Sequence, residues 1–485
     1  MFKNKFLTFI GLSIALSSCN VTKTSFENKL EIPTNYHASN LTILADTVKQ
    51  ASQKPQSWKS FYTDPILKSY IDTALKYNQD LKIAFQKIQM ARAGVVYTKG
   101  IRLPDLNAHL EVGVKKFGDY TIDGVGNYDT KFSTNINDKQ RIPDPVIPDY
   151  YIGFSTHWEA DVWGKLKNKK RAAWSRFLSE QQGSTWVQTN LISEVALSYY
   201  NLMLLDEKLR ILEENIMLQN SAIVAVEHQK EIGRTNLLAI ELLTAQVLES
   251  QTMVMEVKQA IIQEETNLYF LLGTYPFELK RNTFSTDMSV TQVFENGVPS
   301  DLLLNRADII EATHSLQACH ADVKAAKAAF YPSITIDGRI GFQAFKAALT
   351  FDIGSFAFNA LGGLVAPLLN RRALKAELLQ ASSSRLMAYL NYEKKVIAAF
   401  NEVYQLLKLH DNYSKMKEIK NNQVTLLKQS VETSRALFAS GRVGFLEIIT
   451  AQQNSLKSHM ELLDIYRFEN QNKVLLYKAL GGGAE

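Results

Sequence analysis

The stretch SGRVGFLEIITAQ, from Ser440 to Gln452, restates one met roughly two hundred residues earlier, IGRTNLLAIELLTAQ, from Ile232 to Gln246. In both, a Gly-Arg pair leads into an apolar run that ends in Thr-Ala-Gln, and self-similarity of that length marks a duplicated structural unit. The chain is therefore expected to fold as two related halves.

What flanks the two motifs is also similar. Only 11 prolines occur in 485 residues, none between Pro148 and Pro276 and none after Pro367, so two stretches of more than a hundred residues lack that helix breaker. Each stretch opens on a basic cluster, GKLKNKKRAAW from Gly164 and LNRRALKAELLQ from Leu369. Leu202, Leu205, Leu209, Leu212 and Ile216 then follow at alternating spacings of three and four, as do Val396, Phe400, Val403 and Leu407, which predicts long helices with coiled-coil-like seams. The first runs from Lys165 to Glu231, roughly 100 Å at 1.5 Å per residue. Gly233 and Gly441 sit where each helix should stop in a left-handed residue, and a return helix follows to Pro276 or Gly483. The repeated motif thus lies just past the tip of a helical hairpin.

Ahead of each long helix the period changes from helical to alternating. Leu106, Ala108, Leu110, Val112 and Val114 alternate with Asn107, His109, Glu111, Gly113 and Lys115. Ile152, Phe154, Thr156, Trp158, Ala160 and Val162 alternate with Gly153, Ser155, His157, Glu159 and Asp161. The pair recurs with Ile334, Ile336, Gly338, Ile340 and Phe342, then Phe356, Phe358, Ala360, Gly362 and Leu364. The first pair is joined by about thirty residues rich in Asp, Asn, Gly and Pro, read as a long solvated loop, and the second by about ten. GVGN at 124–127 lacks the strand-to-helix context of a phosphate loop and is read as a turn within that loop.

Strands with one apolar and one polar face fit a half-buried sheet or a membrane barrel wall. No run of eighteen apolar residues exists, so a membrane crossing would have to use these strands. Four strands per chain fall short of the roughly eight that a closed barrel needs, so strands must be pooled between chains, two giving eight and three giving twelve. Trp158, Trp163, Phe356 and Phe358, near the strand ends, suit an aromatic girdle.

The N-terminus agrees with an envelope destination. MFKNKFLTFIGLSIALSSC has a basic start, an apolar run and small residues before a cysteine, which predicts a signal peptide over 1–18. Its Leu16-Ser17-Ser18-Cys19 end resembles the bacterial lipobox, making Cys19 the acylated first residue of a tether over 19–57. Cys319 is then the one remaining cysteine, which leaves no intramolecular disulfide. The formal charge of +5 includes Lys3 and Lys5 of that leader and gives no reason to expect nucleic acid. The eight histidines are scattered, with His314 and His320 on different helix faces, so neither a metal site nor a catalytic constellation is expected. The covalent lipid is the one added group. Arg306 and Asp308 are read as the structural start of a helix.

WKSFYTDPILKSYIDTALKYNQDL, LLLNRADIIEATHSLQACHADVKAAKAAFYPSITI, the two Gly-Arg tips and the two Leu-Gly ends resemble the TolC-like outer membrane efflux proteins, in their NodT-type lipoprotein branch. The most specific piece is Arg306-Ala307-Asp308-Ile309 followed by Ala325-Ala326-Lys327-Ala328-Ala329-Phe330-Tyr331-Pro332, and the likeness runs from Trp58 to near the C-terminus. It implies a mainly α fold with membrane β: a homotrimer whose 12-stranded β-barrel continues into a long α-helical coiled-coil barrel. The first repeat would span 58–276, with a β-hairpin over 104–163 and a helical hairpin over 165–272. The second would span 300–485, with its hairpins over 332–366 and 370–480, beyond an equatorial linker over 277–299.

The function implied is the passive exit duct of a tripartite efflux system in the outer membrane. A periplasmic adaptor would dock at the tips Gly233, Arg234, Gly441, Arg442 and Gly444, and an inner-membrane pump of the RND type would drive transport. A periplasmic gate would lie at Leu446, Thr450 and Gln453, which share one helix face. Family members often carry an acidic residue before the Ala-Gln pair and an arginine after it. Here those positions read Thr450 and Gln453, so the resemblance supplies no charged latch. The alternatives are a non-transporting coiled-coil envelope scaffold and the exit duct of a type I protein secretion system.

Overall fold

The computed structural model describes residues 57–233, 235–284, 303, 305–367, 369 and 371–482. The leader, Cys19, most of the tether and linker, and Arg234 lie outside the described residues. The chain divides into two compact units, one holding Met90–Phe177 and His314–Tyr389, the other Leu178–Thr313 with the described residues before Met90 and after Tyr389.

The first unit is built around a four-stranded antiparallel sheet, β1 (Asn107–Lys115), β2 (Ile147–Ala160), β3 (Ser333–Ala344) and β4 (Phe356–Val365), in the order β1-β2-β3-β4. Its register turns the alternation of the sequence into two faces. Leu110, Ile152, Phe342 and Phe356 form one row across all four strands, and Ala108, Phe154, Ile340 and Phe358 form the next on that face. Leu110, Val112, Phe154, Ile340 and Phe358 are all exposed in the single chain. β1 and β4 each have one edge without a strand partner among the described residues.

The segment between β1 and β2 departs from the expected structureless loop. Helix α4 (Ile122–Asp129) occupies part of it, so GVGN is helical rather than a turn. The Thr121 hydroxyl accepts the Gly124 amide and Asp123 sits in the first turn. A side-chain cap and an acidic N-terminus offset the weak propensity of two glycines.

In the second unit, α1 (Trp58–Phe61) and α2 (Pro65–Tyr77) precede α3 (Gln79–Gly100), whose later residues belong to the first unit. The break falls at Asn78. Its Nδ2 donates to the Leu271 carbonyl while its Oδ1 accepts the Leu81 amide, so one side chain fastens the end of α2 and starts α3. The first long helix, α5 (Lys165–Glu231), returns as α6 (Leu237–Leu272), and after α7 (Ala307–Ala328) the second, α8 (Arg371–Ala439), returns as α9 (Phe445–Ala479). Leu202, Leu212, Val396 and Val403 of the expected seams are buried, and Leu205, Leu209, Phe400 and Leu407 are partly so.

Phe61 stacks on Tyr477 at 3.8 Å, within a core that also holds Leu67, Ile71, Tyr199 and Leu268. This packing ties the start of the first repeat to the end of the second. Arg306 adds a polar tie: its guanidinium donates to both oxygens of Asp308 at 3.1 and 3.0 Å, to Glu402 at 2.8 Å and to the Ala479 carbonyl at 3.0 Å.

Candidate functional site

Two regions carry the features that a conduit needs. The first is the sheet face opposite the apolar rows. His109 Nε2 lies 2.7 Å from the Ser155 hydroxyl, His157 Nδ1 lies 2.7 Å from Asp337, and Arg339 donates to Glu111 at 2.6 Å. Arg339 also stacks on Tyr151, 3.8 Å from the ring centroid, and the Tyr151 hydroxyl donates to the Ile340 carbonyl at 3.1 Å. That ring lies across Gly153 and Gly341. A Cβ on Gly153 would approach the Tyr151 hydroxyl to 2.5 Å and the Ile340 carbonyl to 2.4 Å, so these strand glycines make room for the aromatic and its cation. One face of the sheet is thus hydrogen-bonded and charged while the other is bare hydrocarbon, the division expected between a lumen and lipid. Trp158 lies near the end of β2 and Trp163 three residues past it, with indole N–H groups donating to the Arg102 and Pro332 carbonyls.

The second region is the pair of hairpin tips. Gly233 and Gly441 both have φ +72°, and neither has an atom within 4 Å of an added Cβ. Each ends its helix in the left-handed conformation that favours glycine, with its amide donating to the Lys230 or Phe438 carbonyl. Gly444 differs. It is the extended N-cap of α9, with φ −78° and ψ 176°, so a left-handed requirement does not extend to it. Asn236 caps α6 through its side chain, whereas α9 has no side-chain cap. The two tips meet in one apolar cluster, where Val226 and Leu243 pack with Ile449 and Phe445. Ile232, Leu237, Leu238 and Leu446 remain exposed around them, as does Arg442.

Leu446, Thr450 and Gln453 are all exposed while Ile448, Ile449 and Gln452 are buried, so the three share a face directed away from the chain's own core. The Thr450 hydroxyl donates to the Leu446 carbonyl at 2.9 Å, so its proton is engaged within α9 and its free capacity is as an acceptor. Gln453 borders a groove of about 580 Å³ that also touches Gln246.

Sequence reasoning missed two residues of the repeat itself. Gln246 and Gln452, the final letters of the two Thr-Ala-Gln motifs, are 4% and 7% exposed, and each has a buried Oε1 without a hydrogen-bond partner. The signal was present: a polar residue that recurs at the same place in both halves occupies equivalent packing.

The model for outer membrane efflux proteins matches residues 70–274 and again 298–482. SilC of Salmonella typhimurium, described as a probable outer membrane lipoprotein, is 28% identical over 483 residues, covering 100% of this chain and 99% of that one. The cation efflux system protein CusC of Escherichia coli K12 is 28% identical over 474 residues, with 97% and 98% covered. A crystal structure of CusC superposes with a TM-score of 0.82 at 26% identity, covering 95% of this chain and 99% of that chain. The CmeC outer membrane channel of Campylobacter jejuni shares the fold, with a TM-score of 0.79 at 20% identity and 96% and 94% covered. With the family pattern met twice and full-length relatives on both sequence and fold, the chain belongs to the outer membrane efflux protein family, a family of channels rather than enzymes.

Proposed function

We propose that the chain is the passive, non-catalytic exit duct of a tripartite efflux system, three copies pooling four strands each into one twelve-stranded barrel. The observation that carries this reading is the sheet: one apolar face, one charged face and two open edges. In lipid an open edge leaves backbone groups unpaired at several kcal/mol each, so neighbouring copies must cover it. A bridging scaffold would have no use for such a face. The exposed apolar residues around Gly233 and Gly441 then serve as the surface on which a periplasmic adaptor docks, with an RND-type pump supplying the energy.

Relatives of nearly equal identity are named for cation efflux, at 28%, and for solvent efflux, SrpC of Pseudomonas putida at 27%. A duct that serves such unlike cargoes in different systems leaves selection to the pump. The face formed by Leu446, Thr450 and Gln453 acts as an uncharged periplasmic constriction.

The test is electrical. Full-length protein reconstituted in planar bilayers should give discrete conductance steps and migrate, unheated in detergent, as a trimer that heating dissociates. A folded oligomer recovered from the outer membrane that conducts nothing would overturn the duct.

A further inference from the structure

In the first unit, α3 with the turn that follows it, α5 and α7 border an open hollow of about 700 Å³ lined by Lys99, Arg102, Lys167, Lys170, Arg171 and Lys324, with no carboxylate in the lining. None of these six side chains has an ion-pair partner among the described residues, and the Nε of Arg102 is buried without an acceptor. The nearby acids are engaged elsewhere. Asp161 accepts the Leu166 and Lys167 amides at the start of α5, and Asp322 pairs with Arg176. Like charges gathered round one cavity repel, and an anion in their midst removes that penalty. The His320 imidazole beside them is pushed below its ordinary value by burial and by Lys324, Arg385 and Lys327.

The hollow is linked to the apolar rows of the sheet through Arg102. Trp158 stands in the apolar alternation, and its indole N–H donates to the Arg102 carbonyl at 3.0 Å. Lys165, by contrast, pairs with Glu159 of the charged face. At about 100° per residue, Lys167, Lys170, Arg171 and Trp174 lie across the helix from Lys165. β1 begins at Asn107 and β2 ends at Ala160, so the cations sit where the hydrocarbon face gives way to helix.

From this geometry we infer that the hollow binds the phosphate headgroup of an anionic phospholipid in the periplasmic leaflet of the outer membrane. Its volume far exceeds a free phosphate ion, and Trp174 and Ala321 offer apolar lining beside the cations. A bound headgroup would fix the height of the barrel in the membrane. The inference rests on the outer membrane reading.

Native mass spectrometry of delipidated full-length protein, offered phosphatidylglycerol or phosphatidylcholine, tests it. Wild type should retain phosphatidylglycerol preferentially, and Arg102→Gln/Lys170→Gln/Arg171→Gln should lose at least about tenfold of that retention while keeping wild-type conductance. The charge-preserving Lys170→Arg/Arg171→Lys control should hold the lipid. Equal retention by the neutralised variant overturns the site. Displacement by millimolar inorganic phosphate makes it a free-anion site and overturns the lipid. Wild type that forms pores yet holds no phosphatidylglycerol means that the tether or a second copy fills the hollow. Protein that forms no pore removes the outer membrane reading and the site with it.

Discussion

Arg306 is 3% exposed, and four acceptor atoms from Asp308, Glu402 and Ala479 surround it. Its value lies in what would be left behind. Arg306→Ala strands the carboxylate of Asp308, whose side chain is 12% exposed, and removal of one partner of a buried pair costs about 3–5 kcal/mol. Glu402, a third exposed, adds little. Urea unfolding should show that loss, with Arg306→Lys intermediate because an ammonium cannot make the forked contact. A change below about 1 kcal/mol would remove Arg306 as a structural hub. Thr450 is the converse case, an exposed side chain whose substitution should leave the fold alone. In a trimer, Thr450→Arg sets three like charges near the axis. At about 6 Å each pair repels by roughly 0.7 kcal/mol in a water-like medium and about 2.8 at an effective dielectric of 20. Summed over three pairs, this competes with what a few neutral hydrogen bonds supply. The variant should conduct more than wild type in planar bilayers and admit vancomycin to cells. Unchanged conductance would place the constriction elsewhere.

At the scale of the element, both helical hairpins turn through a left-handed glycine in open space. A Cβ at Gly233 or Gly441 meets no atom within 4 Å beyond its chain neighbours, so its main cost is the conformational penalty of about 1–2 kcal/mol per site. Gly233→Leu with Gly441→Leu should therefore give a folded trimer, slightly less stable, that no longer crosslinks to the adaptor or supports export. Asn tolerates the same backbone region with less bulk, so the paired Asn variant should retain part of both. Full export by the Leu pair would mean that the adaptor docks away from the tips. Gly444 belongs outside this pair, because its extended backbone accepts any residue and a Cβ there would meet only Glu447 Oε2, at 3.1 Å.

For the whole molecule, no described helix is long and apolar enough to cross a membrane, and the proposed duct inserts through the apolar rows of its sheet, with any lipid on the N-terminus as a second anchor. An acyl chain contributes about 0.8 kcal/mol per buried methylene, which holds the tether at the membrane while the barrel is the main anchor. Cys19→Ser should abolish radiolabelled palmitate incorporation and reduce, without eliminating, trimer in the outer membrane fraction. Cys319 is the chain's one other cysteine and sits partly buried in α7, so it makes a clean control. Label persisting in Cys19→Ser protein would refute acylation at that residue.

Features with a local cause were legible in the sequence. Four alternating segments became four strands, a proline-free run from Lys165 to Glu231 became one helix with those ends, and Gly233 and Gly441 closed theirs. Side-chain period and helix termination depend on residues within a turn or two of one another. Helix α4 escaped notice because one threonine cap outweighs a glycine-rich composition. The tertiary structure alone decided which of two chemically similar glutamines is buried. Gln452 points into the core while its neighbour Gln453 is exposed, and Gln246 is enclosed like Gln452. It alone showed that the Thr450 proton is already taken, that Arg306 reaches Ala479, and that six cations, five from three helices and Arg102 from the turn after α3, share one hollow without a carboxylate. Such features join residues far apart in the chain, and no local propensity encodes which polar atoms long-range packing will bring together or leave without a partner.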